Sequence, residues 1–478
     1  MAITRRQFLQ RTGLGAGGLL LAPNLFGNPF VREALANIGS RYLVVFYLDG
    51  GNDGQNTIVP YDDVGGLRSA YNQHRKTGNG GLQLAPGSLL VPSGPGVPPM
   101  VDPNTGTQLG FHPGLAGLHN LYLEGKVAVV QGCGYPDYSL SHEASTIIWQ
   151  TANPTGNGAL AGTGWVGRHL GAVYGPSQVP GVAIGSAVPG EFRQSATSVL
   201  TLRRVRTFGF PYDDLDEAES DESAKRDAFA GAYAAAAASA NPRLAFLGTA
   251  GTSTLLSSES YPPLFDVYTD ARQSWFDDYS ALGTTTGRAF REMAQLVYGV
   301  HTGQPGVAAR FLQGRQGGYD THADQGAGTP GARQYDLLRE FGDAVELFYR
   351  DMEDIGIADD VCIVVWSEFS RRIPQNDNGT DHGSQGPMFV IGGSVAGGVY
   401  GNHPNIASAA LDDQGNTPYS QAPGDPFRST DFRDVFGTIL KHWLALSPAT
   451  ITSSILPPDV GNPATYWTVP NFDLGFLP

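Results

Sequence analysis

Four short stretches gather the carboxylates, imidazoles and hydroxyls of this chain that could act on a ligand. The first, Asp49-Gly50-Gly51-Asn52-Asp53-Gly54, follows an apolar run and sets a carboxylate among glycines, where the backbone can approach an ion or anion closely. Asp49 is there a candidate metal ligand; the alternative is a turn in which Asp49 or Asp53 bonds its own backbone. The second is Gly317-Gly318-Tyr319-Asp320-Thr321-His322. Residues two apart in an extended chain point the same way, so Asp320 and His322 can offer an oxygen and an imidazole nitrogen to one cation. A capping Asp beside a surface His is the competing explanation.

The third stretch, Ser367-Glu368-Phe369-Ser370-Arg371-Arg372, again puts a carboxylate, Glu368, beyond an apolar run, and Asp381 and His382 follow in Asn376-Asp377-Asn378-Gly379-Thr380-Asp381-His382-Gly383. These acids and the His are either ligands or solvated loop residues, and Arg371 or Arg372 either offsets anionic substrate charge or pairs at the surface. The fourth, Tyr138-Ser139-Leu140-Ser141-His142-Glu143, precedes a helical pattern. A serine at a helix start meets free N–H groups and a positive dipole end, which suits an activated hydroxyl or a bound anion, and equally suits plain capping. His142 can help to hold a metal or simply pack. Together the stretches favour a divalent metal, Zn first and Mg, Mn or Ca as alternatives. Bound by mixed Asp and His ligands, it would polarise an ester oxygen.

The elements that must position these groups are readable from apolar runs at 42–48, 127–130, 182–184, 309–312, 361–366 and 388–391. Most lack polar alternation, which suits strands covered on both faces, and helical patterns lie between them at 141–151, 332–355 and 431–446. The expected class is α/β, with a mostly parallel sheet flanked by helices. Residues 211–303 contain an acidic patch at Asp213, Asp214, Asp216, Glu217, Glu219, Asp221 and Glu222, an alanine-rich tract and no obvious strand. They are expected to form a helical insertion or cap. The stretches 78–107 and 407–428 read as long surface loops.

The chain opens with Thr4-Arg5-Arg6-Gln7-Phe8-Leu9, then a Gly-rich apolar run and the small residues Ala34-Leu35-Ala36. That order predicts a twin-arginine signal over 1–36, cleaved after Ala36, and hence a periplasmic or extracellular protein exported already folded. The apolar run is shorter than the roughly 18 residues that a membrane span needs, so no span is expected after signal removal. The remaining chain, 37–478, is long enough for one large α/β domain. A net charge of −15 with only four lysines disfavours nucleic acid as a partner. Cys133 and Cys362 fall near opposite ends of their predicted strands and are expected to stay unpaired and buried.

Read together, the motifs Leu48-Asp49-Gly50-Gly51-Asn52-Asp53-Gly54, Ser141-His142, Gly318-Tyr319-Asp320-Thr321-His322, Ser367-Glu368-Phe369-Ser370-Arg371 and Thr380-Asp381-His382-Gly383 make the chain resemble an uncharacterised bacterial domain family numbered 1501. That family looks like a distant branch of the alkaline phosphatase and sulfatase superfamily. The resemblance implies a three-layer α/β/α sandwich and a metal-dependent hydrolase of phosphate or sulfate esters. It implies Ser141 as nucleophile and Asp49, Asp320, His322, Glu368 and His382 around the metal. Ser367-Glu368 departs from the Asp-His usual in the superfamily, which leaves the metal count open and makes Asp381 the candidate for the missing ligand. The rival from another class is a non-catalytic secreted binding or assembly protein that holds a structural metal on the same fold.

Overall fold

The computed structural model describes residues 40–194, 196–209, 219–404, 406, 424–459 and 467–478. The predicted signal, the acidic residues Asp213, Asp214, Asp216 and Glu217, and most of the loop expected at 407–428 lie outside the described residues.

Among the described residues, nine strands form one sheet. In chain order they are β1 Tyr42–Asp49, β2 Val127–Gly134, β3 Gly181–Ile184, β4 Val199–Leu202, β5 Phe311–Gly317, β6 Val361–Trp366, β7 Gly386–Ile391, β8 Gly398–Tyr400 and β9 Thr430–Asp431. Across the sheet they run β8-β2-β7-β6-β1-β5-β3-β4, with β9 beside β2. Only β7 is antiparallel to its neighbours. The class is therefore α/β, with a mixed but mostly parallel sheet.

The unbroken apolar run of β1 has a direct cause. Val44, Phe46 and Leu48 enter one hydrophobic cluster while Leu43, Val45 and Tyr47 enter another. Two short helices, α1 (Gly54–Thr57) and α2 (Leu67–His74), precede α3 (Ala116–Leu123); the first cluster includes α3, α9 (Thr285–His301) and α10 (Arg333–Asp354), and the second includes α4 (His142–Thr151), α5 (Trp165–Val173) and α11 (Phe432–Thr438). A strand packed on both faces has no place for polar alternation. Phe46 stacks on Phe290 of α9 with centroids 4.8 Å apart, and on the other face Tyr47 stacks on Trp366 at 4.2 Å. Truncating a ring like Phe46 to alanine costs about 3–5 kcal/mol.

The strand expected at 309–312 lies at Phe311–Gly317 instead. Its second half, Gln313-Gly314-Arg315-Gln316-Gly317, is not apolar, so hydrophobicity could not reveal it. The parallel ladder to β1 holds it, running from Leu43 opposite Phe311 to Asp49 opposite Gly317. This longer strand carries the chain to the end of β1, where the candidate residues meet. Strands β4, β8 and β9 were not expected; they are short and lie at or near the sheet margins.

Residues 219–301 fold as α6 (Glu219–Ala237), α7 (Pro242–Ser260), α8 (Leu264–Ala281) and α9, with no strand among them. The last two belong to the main core: Tyr268 of α8 and Phe290, Met293 and Val297 of α9 share the cluster of Phe46 and Leu312. Buried Asp351 of α10 accepts hydrogen bonds from Tyr268 at 2.6 Å and Arg272 at 2.8 Å, which ties α8 to α10. Both cysteines are free and buried. Among the described residues, no helix is long and apolar enough to cross a membrane.

Candidate metal centre at the carboxyl end of the sheet

The turn after β1 admits nothing larger than glycine. Gly50 has φ +120, and a Cβ there would lie 2.4 Å from the Asp320 backbone nitrogen; at Gly51, with φ +81, it would lie 2.4 Å from the Phe369 ring. Three loops, after β1, β5 and β6, are thereby drawn together. The freed N–H groups of Gly50 and Gly51 donate to the Glu368 carboxylate at 3.0 and 3.1 Å, a small anion nest. Glu368 is fully buried.

Glu368 in turn orients an imidazole. Its Oε1 lies 2.7 Å from His142 Nδ1, and a carboxylate that already takes backbone N–H bonds acts as acceptor there, so Nδ1 is the donor. His142 Nε2 is then the free ligating atom. It is buried without a hydrogen-bond partner and lies 3.4 Å from Asp320 Oδ2. On the other side, His382 Nδ1 lies 2.7 Å from the Leu140 carbonyl oxygen, which can only accept, so His382 Nε2 carries the lone pair of the neutral ring. That atom faces Asp320 Oδ1 at 3.2 Å. Two acceptors at this distance repel unless a proton or cation lies between them.

His142, Asp320 and His382 each present one ligand atom, and all three atoms lie within 4.8 Å of one another. Two neutral imidazole nitrogens and one carboxylate oxygen, each ring fixed through its other nitrogen, fit a divalent cation such as Zn²⁺. The charges are tuned to match. Burial pushes the Asp320 carboxyl up, but the hydrogen bond and the charge of Arg371 outweigh it and hold the group at about 2. The hydrogen bond that His142 donates to Glu368 raises the His142 imidazole above its ordinary value, whereas burial lowers that of His382.

The other predicted residues have separable places. His322 Nε2 lies 2.9 Å from His382 Nε2 and 3.1 Å from Asp320 Oδ1, beside the three-residue cluster. Asp381 is half exposed, 3.4 Å from His322 Nδ1 and 3.7 Å from Arg372. Asp49 lies at the end of β1, 3.3 Å from Arg315, and its carboxyl is raised by burial and by the Glu368 charge. Ser141 is exposed and is the N-cap of α4, its Oγ accepting from Ala144 N–H at 3.5 Å. Glu368 has its oxygens engaged by Gly50, Gly51 and His142, so it stands behind the cluster and steers it.

Arg371 is fully buried. It donates to Gly51 O at 2.7 Å, Thr380 O at 3.1 Å, Tyr319 O at 2.8 Å and Asp320 Oδ1 at 2.9 Å. It builds the site rather than meeting substrate. Asp53 is likewise consumed by the fold, pairing with buried Arg75 at 2.6 Å. His142 is the residue that sequence reasoning underrated: it pairs with Glu368 across 226 positions, and no spacing rule reveals that. The only signal was its place beside Ser141 at a helix start.

No curated protein matches the chain. A family model does match, over residues 97–419. That span, more than half of the chain, contains His142, Asp320, Glu368 and His382, while the motif Leu48–Gly54 lies ahead of it. The chain belongs to the family described as Protein of unknown function (DUF1501).

Proposed function

We propose that this protein is an exported, metal-dependent hydrolase of phosphate or sulfate esters. On this reading its fold is a three-layer α/β/α sandwich distantly related to the alkaline phosphatases and sulfatases. Export is through the twin-arginine route to the periplasm or beyond. The observation that carries the reading is the convergence of His142 Nε2, Asp320 and His382 Nε2, with each imidazole fixed through its Nδ1 by Glu368 or by the Leu140 carbonyl.

A divalent cation held there would polarise an ester oxygen and lower the pKa of a neighbouring hydroxyl. The chain's own groups do the rest. Glu368 keeps the His142 lone pair aimed at the centre, and Arg371 holds Asp320 ionised. Ser141, one residue ahead of His142 at the positive end of a ten-residue helix, is the proposed nucleophile. His322, Asp381 and Asp49 surround the centre as further ligands or proton carriers.

Total-metal analysis after exposure of the purified protein to Zn, Mn, Mg and Ca is the direct test, together with a panel of phosphomonoester, phosphodiester and sulfate ester substrates. Bound metal that disappears in His142→Ala and His382→Ala, with turnover abolished by Ser141→Ala, supports the proposal. Absence of any bound divalent ion overturns it. One observation favours the non-catalytic alternative: the Ser141 hydroxyl is engaged as a helix cap and accepts a backbone N–H. Metal that raises Tm, without turnover on any ester, would select that reading.

A further inference from the structure

The carboxyl ends of β1, β3, β4 and β5 lie along one stretch of the sheet, and two adjoining clefts open there. The first, about 440 Å³, extends from His142 and Asp49 past Arg193 to Arg315. The second, about 570 Å³, is lined by Arg203, Arg204, Arg288 and Arg315 and by no carboxylate. Arg315, Ile184 and Gly185 belong to both, so one trough leads from His142, which borders the candidate centre, toward the edge strand β4.

The charge of this trough opposes that of the chain. The protein has 45 acidic against 30 basic residues, yet every charged residue that lines its second cleft is an arginine. Arg315 is paired with Asp49 at 3.3 Å, but Arg193, Arg203, Arg204 and Arg288 make no ion pair among the described residues. Arg203 and Arg204 follow directly on β4, and Arg288 lies in the first turn of α9, whose positive dipole end adds to the field. Grouped like charges cost energy that bound anions relieve. The residues are all arginine, whose planar fork matches two oxygens of a phosphate or sulfate. Apart from the His142 imidazole, held in the cluster, the one aromatic ring lining either cleft among the described residues is Tyr47, which is buried, so the trough lacks the row of exposed phenyl or indole rings on which nucleic acid bases stack.

We infer that this trough binds an oligoanion, a molecule carrying several phosphate or sulfate groups, with one ester presented to the His142–Asp320–His382 cluster and the remaining groups on the arginines. The inference rests on the hydrolase reading only for the fate of that one ester. There, water adds across its P–O or S–O bond and releases an alcohol and the free oxyanion. Binding by the arginines is independent of it.

The test is binding of sodium tripolyphosphate, of sulfated dextran oligomers and of neutral dextran oligomers to the whole protein, measured by calorimetry at two salt concentrations. The parent is expected to bind at least one of the two anionic probes, more weakly at high salt, and not the neutral sugar. The tighter probe identifies a phosphate chain or a sulfated sugar as the source. Arg204→Gln/Arg288→Gln should weaken binding at least tenfold, and the exposed single variant Arg203→Gln should weaken it severalfold if the double variant misfolds. The charge-matched control Arg243→Gln/Arg339→Gln should stay within twofold. His382→Ala should retain oligoanion binding while losing metal and turnover, which separates failure of the hydrolase reading from failure of this one. No binding to either anion, equal binding of neutral dextran, an unchanged trough variant or an equal loss in the control overturns the inference.

Discussion

His142 Nδ1 lies 2.7 Å from Glu368 Oε1, and this single contact decides which face of the imidazole is available to a ligand. Because Gly50 and Gly51 hold Glu368 from behind through their N–H groups, the β1 turn, the β6 loop and the start of α4 are locked into one unit. The candidate centre thus inherits the rigidity of the sheet. Only a carboxylate can serve three N–H donors from two oxygens in that position.

Glu368→Gln tests the lock. The amide keeps one acceptor oxygen for the Gly50, Gly51 and His142 donors, and its NH₂ must face at least one of them. Partners that orient a metal-bound imidazole typically contribute 10–100-fold in affinity, so Kd for Zn should rise by that factor in a metal titration. A buried donor left unsatisfied adds a stability loss of about 1–3 kcal/mol, readable as a lower Tm. Asp266→Asn, which changes an exposed carboxylate of α8 that takes no part in the centre, should move metal affinity by less than threefold. Equal losses in the two variants would show that the Glu368 contact does not orient the centre.

Gly50→Ala should damage stability and site together. Its Cβ would lie 2.4 Å from the Asp320 nitrogen and 2.9 Å from the Tyr319 carbonyl carbon, and backbone atoms cannot rotate away. With the positive φ added, a loss of about 3 kcal/mol in urea unfolding is expected, along with reduced metal content. Gly87→Ala, where an added Cβ meets nothing within 4 Å, should stay within about 0.5 kcal/mol of the parent.

The contrast between Gly50 and His142 shows what the residue string can disclose. Gly50 and Gly51 announce a tight turn after an apolar strand, and the strands whose side chains are apolar on both faces were legible for the same reason: burial leaves a compositional mark. The second half of β5 was not legible, because its polar Gln313, Arg315 and Gln316 are held by pairing to β1 rather than by burial of a pattern. Glu368 was legible as a carboxylate beyond a strand, but its role behind His142 was not. That role depends on a contact between residues far apart in sequence. Nor was the cationic trough: Arg203-Arg204, Arg288 and Arg315 come from three separate elements, and only the sheet order brings them to one cleft.

Cys133 and Cys362 should behave as two inert thiols. Both are free and buried, and burial pushes each thiol above its ordinary range, so neither offers a thiolate to a reagent. The folded protein should leave an aromatic disulfide reagent unreacted over minutes, and denatured protein should release two equivalents. Fewer than two after denaturation without reductant would reveal a bond between them.

Glu191 should make the protein lose stability as pH rises through the slightly acid range. It is fully buried, and burial pushes its carboxyl from 4.5 to about 7 against the opposing pull of the Gln313 and Gln150 amides. The folded state therefore keeps a proton that the unfolded chain releases. The stabilisation this gives is complete below about pH 4.5 and is lost as pH climbs to about 7, beyond which both states are ionised and the contribution is flat. At 1.36 kcal/mol per unit the change is on the order of 3 kcal/mol across that window. Glu191→Gln, which cannot ionise, should remove this slope, so that the variant gains on the parent between pH 5 and pH 8 in urea unfolding. Parallel stability profiles for the two proteins would mean that Glu191 is ionised in the folded state throughout that range.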